Sequence, residues 1–193
     1  MHLSSLNLQK INESTFSESF LNKRTELEFV KKHKLMKHVS RASIDKAIEI
    51  VDNLNDEQLE IITQKYTSEQ AILFDYVISA ALEYQNEDLD GLIVYYFCLI
   101  NESFSQEGIS LKPITEEDID EVHEPFFDML DEYFESEDEE LIESFCDQPH
   151  LAFLMATDVS TADDDGSDMS EETAEQIYVV MLAMIAIMNR AII

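Results

Sequence analysis

Residues 177–188 read IYVVMLAMIAIM, twelve apolar residues without a break. They occur in a chain in which 42 of 193 residues are Asp or Glu. Ser170-Glu171-Glu172-Thr173 precedes the run and Asn189-Arg190 follows it. A helix that is apolar on every side has to be enclosed by protein or lipid. At 1.5 Å per residue, twelve residues cover about 18 Å, well short of the roughly 30 Å of hydrocarbon in a bilayer. Arg190 would also fall inside any lengthened span. The run therefore predicts the central helix, over residues 171–191, of a soluble helical domain.

Composition agrees with that reading. Apolar residues make up 45% of the chain, which suits a globular core and is too many for a disordered segment. A chain of this length fits one domain, or one domain with an arm. Three Gly and three Pro are too few for the tight turns of an all-β chain. The expected fold is an all-α, single-domain bundle of about eight or nine helices around a buried C-terminal helix. Cys98 and Cys146 both lie in apolar surroundings and read as buried, reduced thiols rather than a disulfide framework or a zinc motif. The N-terminus lacks the pattern of a signal peptide, so the cytoplasm is the expected compartment.

The net charge of −30 is unevenly spread. Residues 1–46 hold nine of the twelve Lys and Arg, and residues 47–193 hold 37 of the acids. From Pro113 to Asn189 there are 24 carboxylates and no Lys or Arg. The chain divides into a basic helical segment or arm, residues 1–42, and an acidic all-α domain, residues 43–193. The basic segment is expected to lie against the body or to be exchanged with a second copy. A field of this sign repels nucleic acid and anionic membrane and attracts basic proteins.

Along the chain, Ser43 is placed to cap a helix ending near Leu54, and Asn55-Asp56-Glu57-Gln58 has the form of a capping box. Thr67-Ser68-Glu69-Gln70 repeats it ahead of a helix whose apolar face is Ala71, Phe74, Val77, Ile78, Ala81 and Leu82. Leu92 to Ile100, LIVYYFCLI, is a second unbroken apolar run. No other segment alternates with period two to pair with it as a strand, so it reads as a buried helix ended by Gly108. Thr115 to Asp118 caps a very acidic helix with Ile119, Val122, Phe126, Phe127, Leu130, Tyr133 and Phe134 inward. Pro125 should kink it or start a second helix. Ser136 to Glu139 reads as another capping box, and Pro149 as the first turn of a short helix.

Several constellations have spacings that chemistry could use. In the loop from Thr161 to Glu172, Asp163, Asp165, Gly166 and Glu172 fall where a calcium loop wants them, but Thr161 and Met169 do not supply the remaining oxygens. Asp120-x-x-His123 and Asp147-x-x-His150 depart from the Glu-x-x-His pairs of a di-iron bundle and read as surface residues with cationic histidines. Glu139, Glu140 and Glu143, with Glu172 and Glu175, supply two ExxE spacings, which resemble those of all-α nucleotide pyrophosphohydrolases; a Mg²⁺- or Mn²⁺-dependent hydrolase is the alternative function. A phosphate site also wants Lys or Arg, absent here until Arg190. The favoured expectation is a non-enzymatic binding module, without cofactor or metal. Its contact surface comprises Glu116, Glu117, Asp120, Glu121, Glu124, Asp128, Asp131, Glu132 and Glu135, and its partner is a basic protein. Homo-oligomerisation through the basic N-terminal segment is the further expectation.

Overall fold

A computed structural model describes residues 37–160 and 169–193. The expectations for residues 1–36 and for the acidic loop around Asp163 and Gly166 fall outside the described residues. Eight α-helices are found within them: α1 (Arg41–Asp52), α2 (Asp56–Glu69), α3 (Ala71–Tyr84), α4 (Leu89–Glu107), α5 (Glu116–Ser136), α6 (Glu139–Cys146), α7 (Pro149–Asp158) and α8 (Glu171–Arg190). The fold is all-α. Extended pairing among the described residues is limited to one antiparallel bridge, Leu111 with Ile192, which ties the end of the chain to the link after α4.

Helix α8 is the centre. Ser170 Oγ accepts the N–H of Thr173 at 3.1 Å and starts the helix. Ile177, Val180 and every residue from Met181 to Asn189 are buried. Helices α3, α4, α5, α6 and α7 all pack on it. The methionines at 181, 184 and 188 are completely enclosed, as core packing requires of a flexible thioether. Helix α4 is the second buried rod, with Ile93 and the whole stretch from Tyr96 to Phe104 inside. It is closed by Gly108 in the left-handed region, φ 72°, where a glycine carries no Cβ penalty. Helix α1 lies along α4, and α2 and α3 cover more of it.

The remaining helices bury one face. The Asn55 capping box forms as expected, and so does that at Thr115: Asp118 N–H donates to Thr115 Oγ1, and Thr115 N–H to the Asp118 carboxylate. Pro125 neither splits nor ends α5. It sits on the exposed side with Glu121, so the carbonyl that loses its partner is on the face open to water. Cys98 and Cys146 are free and buried, and burial pushes the Cys146 thiol up to about 12.

Several boundaries and faces differ from expectation, each for a physical reason. The cap of α1 is Ser40, because Ser40 and Ser43 share a distant partner: the Glu107 carboxylate accepts the Ser40 N–H at 2.8 Å and the Ser43 hydroxyl at 2.7 Å. Those bonds from Ser40 and Ser43 hold the Glu107 carboxyl below the usual range. Val39 is buried and donates to Gln148 Oε1, so residues 38–42 belong to the body rather than to the basic segment. Thr67 does not cap; it and Ser68 bond back to carbonyls of their own helix, and α2 runs on to Glu69. Gln70 bridges to the link before α5, accepting from Ile114 N–H and donating to Lys112 O. Ser136 ends α5, and Asp138 caps α6 after the left-handed Glu137.

Helix α3 is apolar on most sides, so periodicity could not select its inner face. Leu73, Val77, Ala80 and Ala81 are buried, while Leu82 is 82% exposed. On α5, Met129 joins the core, and Phe127 and Phe134 are exposed.

Two outcomes follow. Leu73→Ala should cost about 2–5 kcal/mol in urea unfolding, and Leu82→Ala no more than about 0.5 kcal/mol. Asp118 is held down to about 2, chiefly by the Lys112 ammonium and by the Thr115 bonds. Its folded pKa is depressed, so its contribution is present above about pH 4 and is lost as pH falls toward about 2. Carboxyl-carbon NMR should show Asp118 titrating at higher pH in Lys112→Met.

Candidate acidic interface

The capping box at Thr115 aims α5 so that Ile119, Val122, Phe126, Met129 and Leu130 turn inward. The opposite side is then fixed by the 3.6-residue repeat. Glu116, Glu117, Asp120, Glu121, Glu124, Asp128, Asp131, Glu132 and Glu135 are all exposed. Glu117, Glu121, Glu124, Asp128, Asp131 and Glu135 follow one another at steps of three and four, which makes a continuous stripe about 27 Å long.

This stripe does not serve the helix that carries it. Acids in the first turn favour the positive end of the helix dipole, but Asp131, Glu132 and Glu135 lie toward the negative end, and no base sits in the last turn. Like charges at i,i+4 each cost a few tenths of a kcal/mol. The two ion pairs among the described residues are His38–Asp147 at 3.2 Å and Lys112–Asp118 at 2.5 Å. Neither includes any of the nine carboxylates.

Three cations of the body lie over aromatic rings. The Arg41 guanidinium lies 5.1 Å from the Phe153 ring centre, Arg190 lies 4.5 Å from that of Phe145, and the Lys65 ammonium 4.3 Å from that of Tyr66. His123 and Asp120 are exposed, and neither Asp-x-x-His spacing brings its own two side chains into a hydrogen bond. His123 bonds Tyr76 through Nδ1 at 3.1 Å and stacks edge-on against Phe127, and Asp147 takes His38 in place of His150.

Glu139, Glu140, Glu143, Glu172 and Glu175 are exposed. The structure does not gather them: among the described residues no three His, Cys, Asp or Glu side chains form a group that could hold a metal ion. The inner faces of α6 and α8 are committed to the core, which turns these carboxylates outward on two separate helices. Glu139 and Glu143 instead border a cavity of about 220 Å³ that also involves Tyr133, Phe153 and Tyr178. Burial pushes the Tyr178 hydroxyl up to about 12, with Tyr133, Cys146 and Glu139 adding to the shift. Sequence reasoning missed this arrangement. Phe153 gave no periodic signal, being an exposed aromatic on the short helix α7.

A larger cavity, about 540 Å³, lies beside α2, α4 and the link after α4, with Lys65, Tyr66 and Gln70 on its lining. Its chemistry is internally satisfied. The Tyr66 hydroxyl donates to buried Glu102, whose other oxygen accepts from Gln106. Burial and that carboxylate raise the Tyr66 hydroxyl far above its ordinary range, so it remains a donor.

No helix among the described residues is long and apolar enough to cross a membrane. Comparison with known protein families, with curated proteins and with solved structures finds no match to this chain.

Proposed function

We propose that this protein is a non-enzymatic binding module whose α5 surface engages a basic protein partner, in the manner of an inhibitor, an immunity protein or a nucleic-acid mimic. The observation that carries the reading is the run of nine exposed carboxylates on α5, none of them in either ion pair among the described residues. Local stability does not account for it, since its C-terminal half opposes both the helix dipole and its own neighbours. A stripe with regular anionic spacing presents what a nuclease, a DNA-binding domain or a basic toxin domain is built to hold. Such a field accelerates encounter and sets specificity, and it weakens as salt screens it over about 8–10 Å.

The test is capture from the native lysate at low salt, with the intact protein and with a variant carrying Glu124→Gln, Asp128→Asn, Asp131→Asn, Glu132→Gln and Glu135→Gln as baits. These positions are exposed, so the variant keeps its core. The native bait should enrich a basic protein whose association rate falls at least tenfold between about 20 and 200 mM salt, and the variant should lose that partner. Equal capture by both baits, or a salt-independent rate, would refute the reading.

A further inference from the structure

We infer that the cavity bordered by α5, α6, α7 and α8 is a seat for one arginine side chain of the basic partner proposed above. Three aromatic rings contribute to it, Tyr133 from α5, Phe153 from α7 and Tyr178 from α8, together with two carboxylates of α6, Glu139 and Glu143. Rings with negative faces beside two anions suit a cation and disfavour an anionic ligand. The carboxylates are four residues apart on one helical face, within reach of a single guanidinium fork. Neither is in an ion pair among the described residues.

Size narrows the ligand class. Pockets for whole small molecules run from about 300 to 1,000 Å³. This one, at about 220 Å³, admits a side chain rather than a nucleotide or a folded segment. The metal alternative is weak on chemistry, because two carboxylates and phenolic rings do not complete the six or more oxygens of a hard cation site.

The molecule itself shows that guanidinium groups settle on its rings. Arg41 lies over Phe153 and Arg190 over Phe145. Arg41 covers one face of Phe153 without bordering the cavity, which leaves Tyr133, Tyr178 and the two carboxylates as the rest of the seat. Arginine is favoured over lysine because its flat guanidinium stacks on a ring face while its edge forms two parallel bonds to one carboxylate, where an ammonium presents only a point charge. Tyr133 enters the cavity from the side of α5 opposite the acidic stripe, so the basic partner reaches the seat by passing the C-terminal end of α5.

The inference rests on the binding reading but is tested separately from it. The intact chain, with alanine methyl groups isotopically labelled, is titrated with N-acetyl-arginine methylamide and with the matching lysine compound. The methyls of Ala152 and Ala156, which line the cavity, should shift on adding the arginine compound. The lysine compound should bind about fivefold more weakly. Glu139→Gln with Glu143→Gln should weaken the arginine compound about tenfold, and Phe153→Leu should remove most of the preference for arginine over lysine. The five-site α5 variant should leave these shifts in place. Unshifted methyls, or equal binding of the two compounds, would overturn the seat while leaving the α5 reading to its own test. Shifts that persist undiminished in the double glutamine variant would overturn it too. Arginine-specific shifts in a protein that captures no basic partner would uphold the seat and remove the binding reading.

Discussion

Enclosure of α8 is the constraint on which the rest depends. A rod with apolar side chains on all sides is stable only when neighbours cover every side, and α3 to α7 do so. Those five helices are thereby each assigned an inner face and, as a result, an outer one. The hydrophobic stabilisation gained along Ile177–Met188 has to exceed the mutual repulsion of a surface far from neutrality. The same enclosure demands that polar groups at the ends of the rod be satisfied. Asn189, buried in the last turn of α8, accepts from Gln148 Nε2 at 2.8 Å, and Gln148 in turn accepts the Val39 N–H. One amide side chain thus fastens the end of the central helix, the α6–α7 junction and the approach to α1.

Charge is handled in two separate ways across the molecule. Bases are scarce, and those of the body are settled largely on aromatic rings, as Arg41, Lys65 and Arg190 are. Helix C-termini are closed by backbone geometry in place of basic side chains: α1 to α7 have no base in the last turn. Gln85, Glu137 and Asp147 adopt positive φ to close α3, α5 and α6, although only glycine does so without cost. Carboxylates that would ordinarily be matched along a helix face are consequently left to water, counter-ions or a partner.

Much of the fold could be read from the residues, and the limits of that reading have physical causes. The two unbroken apolar runs, 92–100 and 177–188, gave the buried helices directly, because length and the lack of any strand-like partner left no other structure for them. The helices with a clear polar side, α5 and α6, showed their outer faces in their spacing. Faces were lost where apolar residues surround the axis, as at Leu82, and where an aromatic lies at the edge of the inner stripe, as at Phe127 and Phe134. Caps were lost where the partner is remote. Glu107 selects Ser40 from 67 positions away, and Gln70 is claimed by the link at 112–114, neither of which local pattern can show. The acidic face of α5 was legible because it is one helix read along one side. The ring-and-carboxylate cavity was not, because its members come from four helices and meet only in three dimensions.

The position of α8 within the chain has a bearing on how this protein is made. Synthesis proceeds from the N-terminus, and the helices that surround the central rod all precede it. Until residues 171–190 emerge, α5, α6 and α7 lack the rod they close upon, while α1 to α3 already have α4 to pack along. The core of the body therefore cannot close until residues 171–190 have left the ribosome.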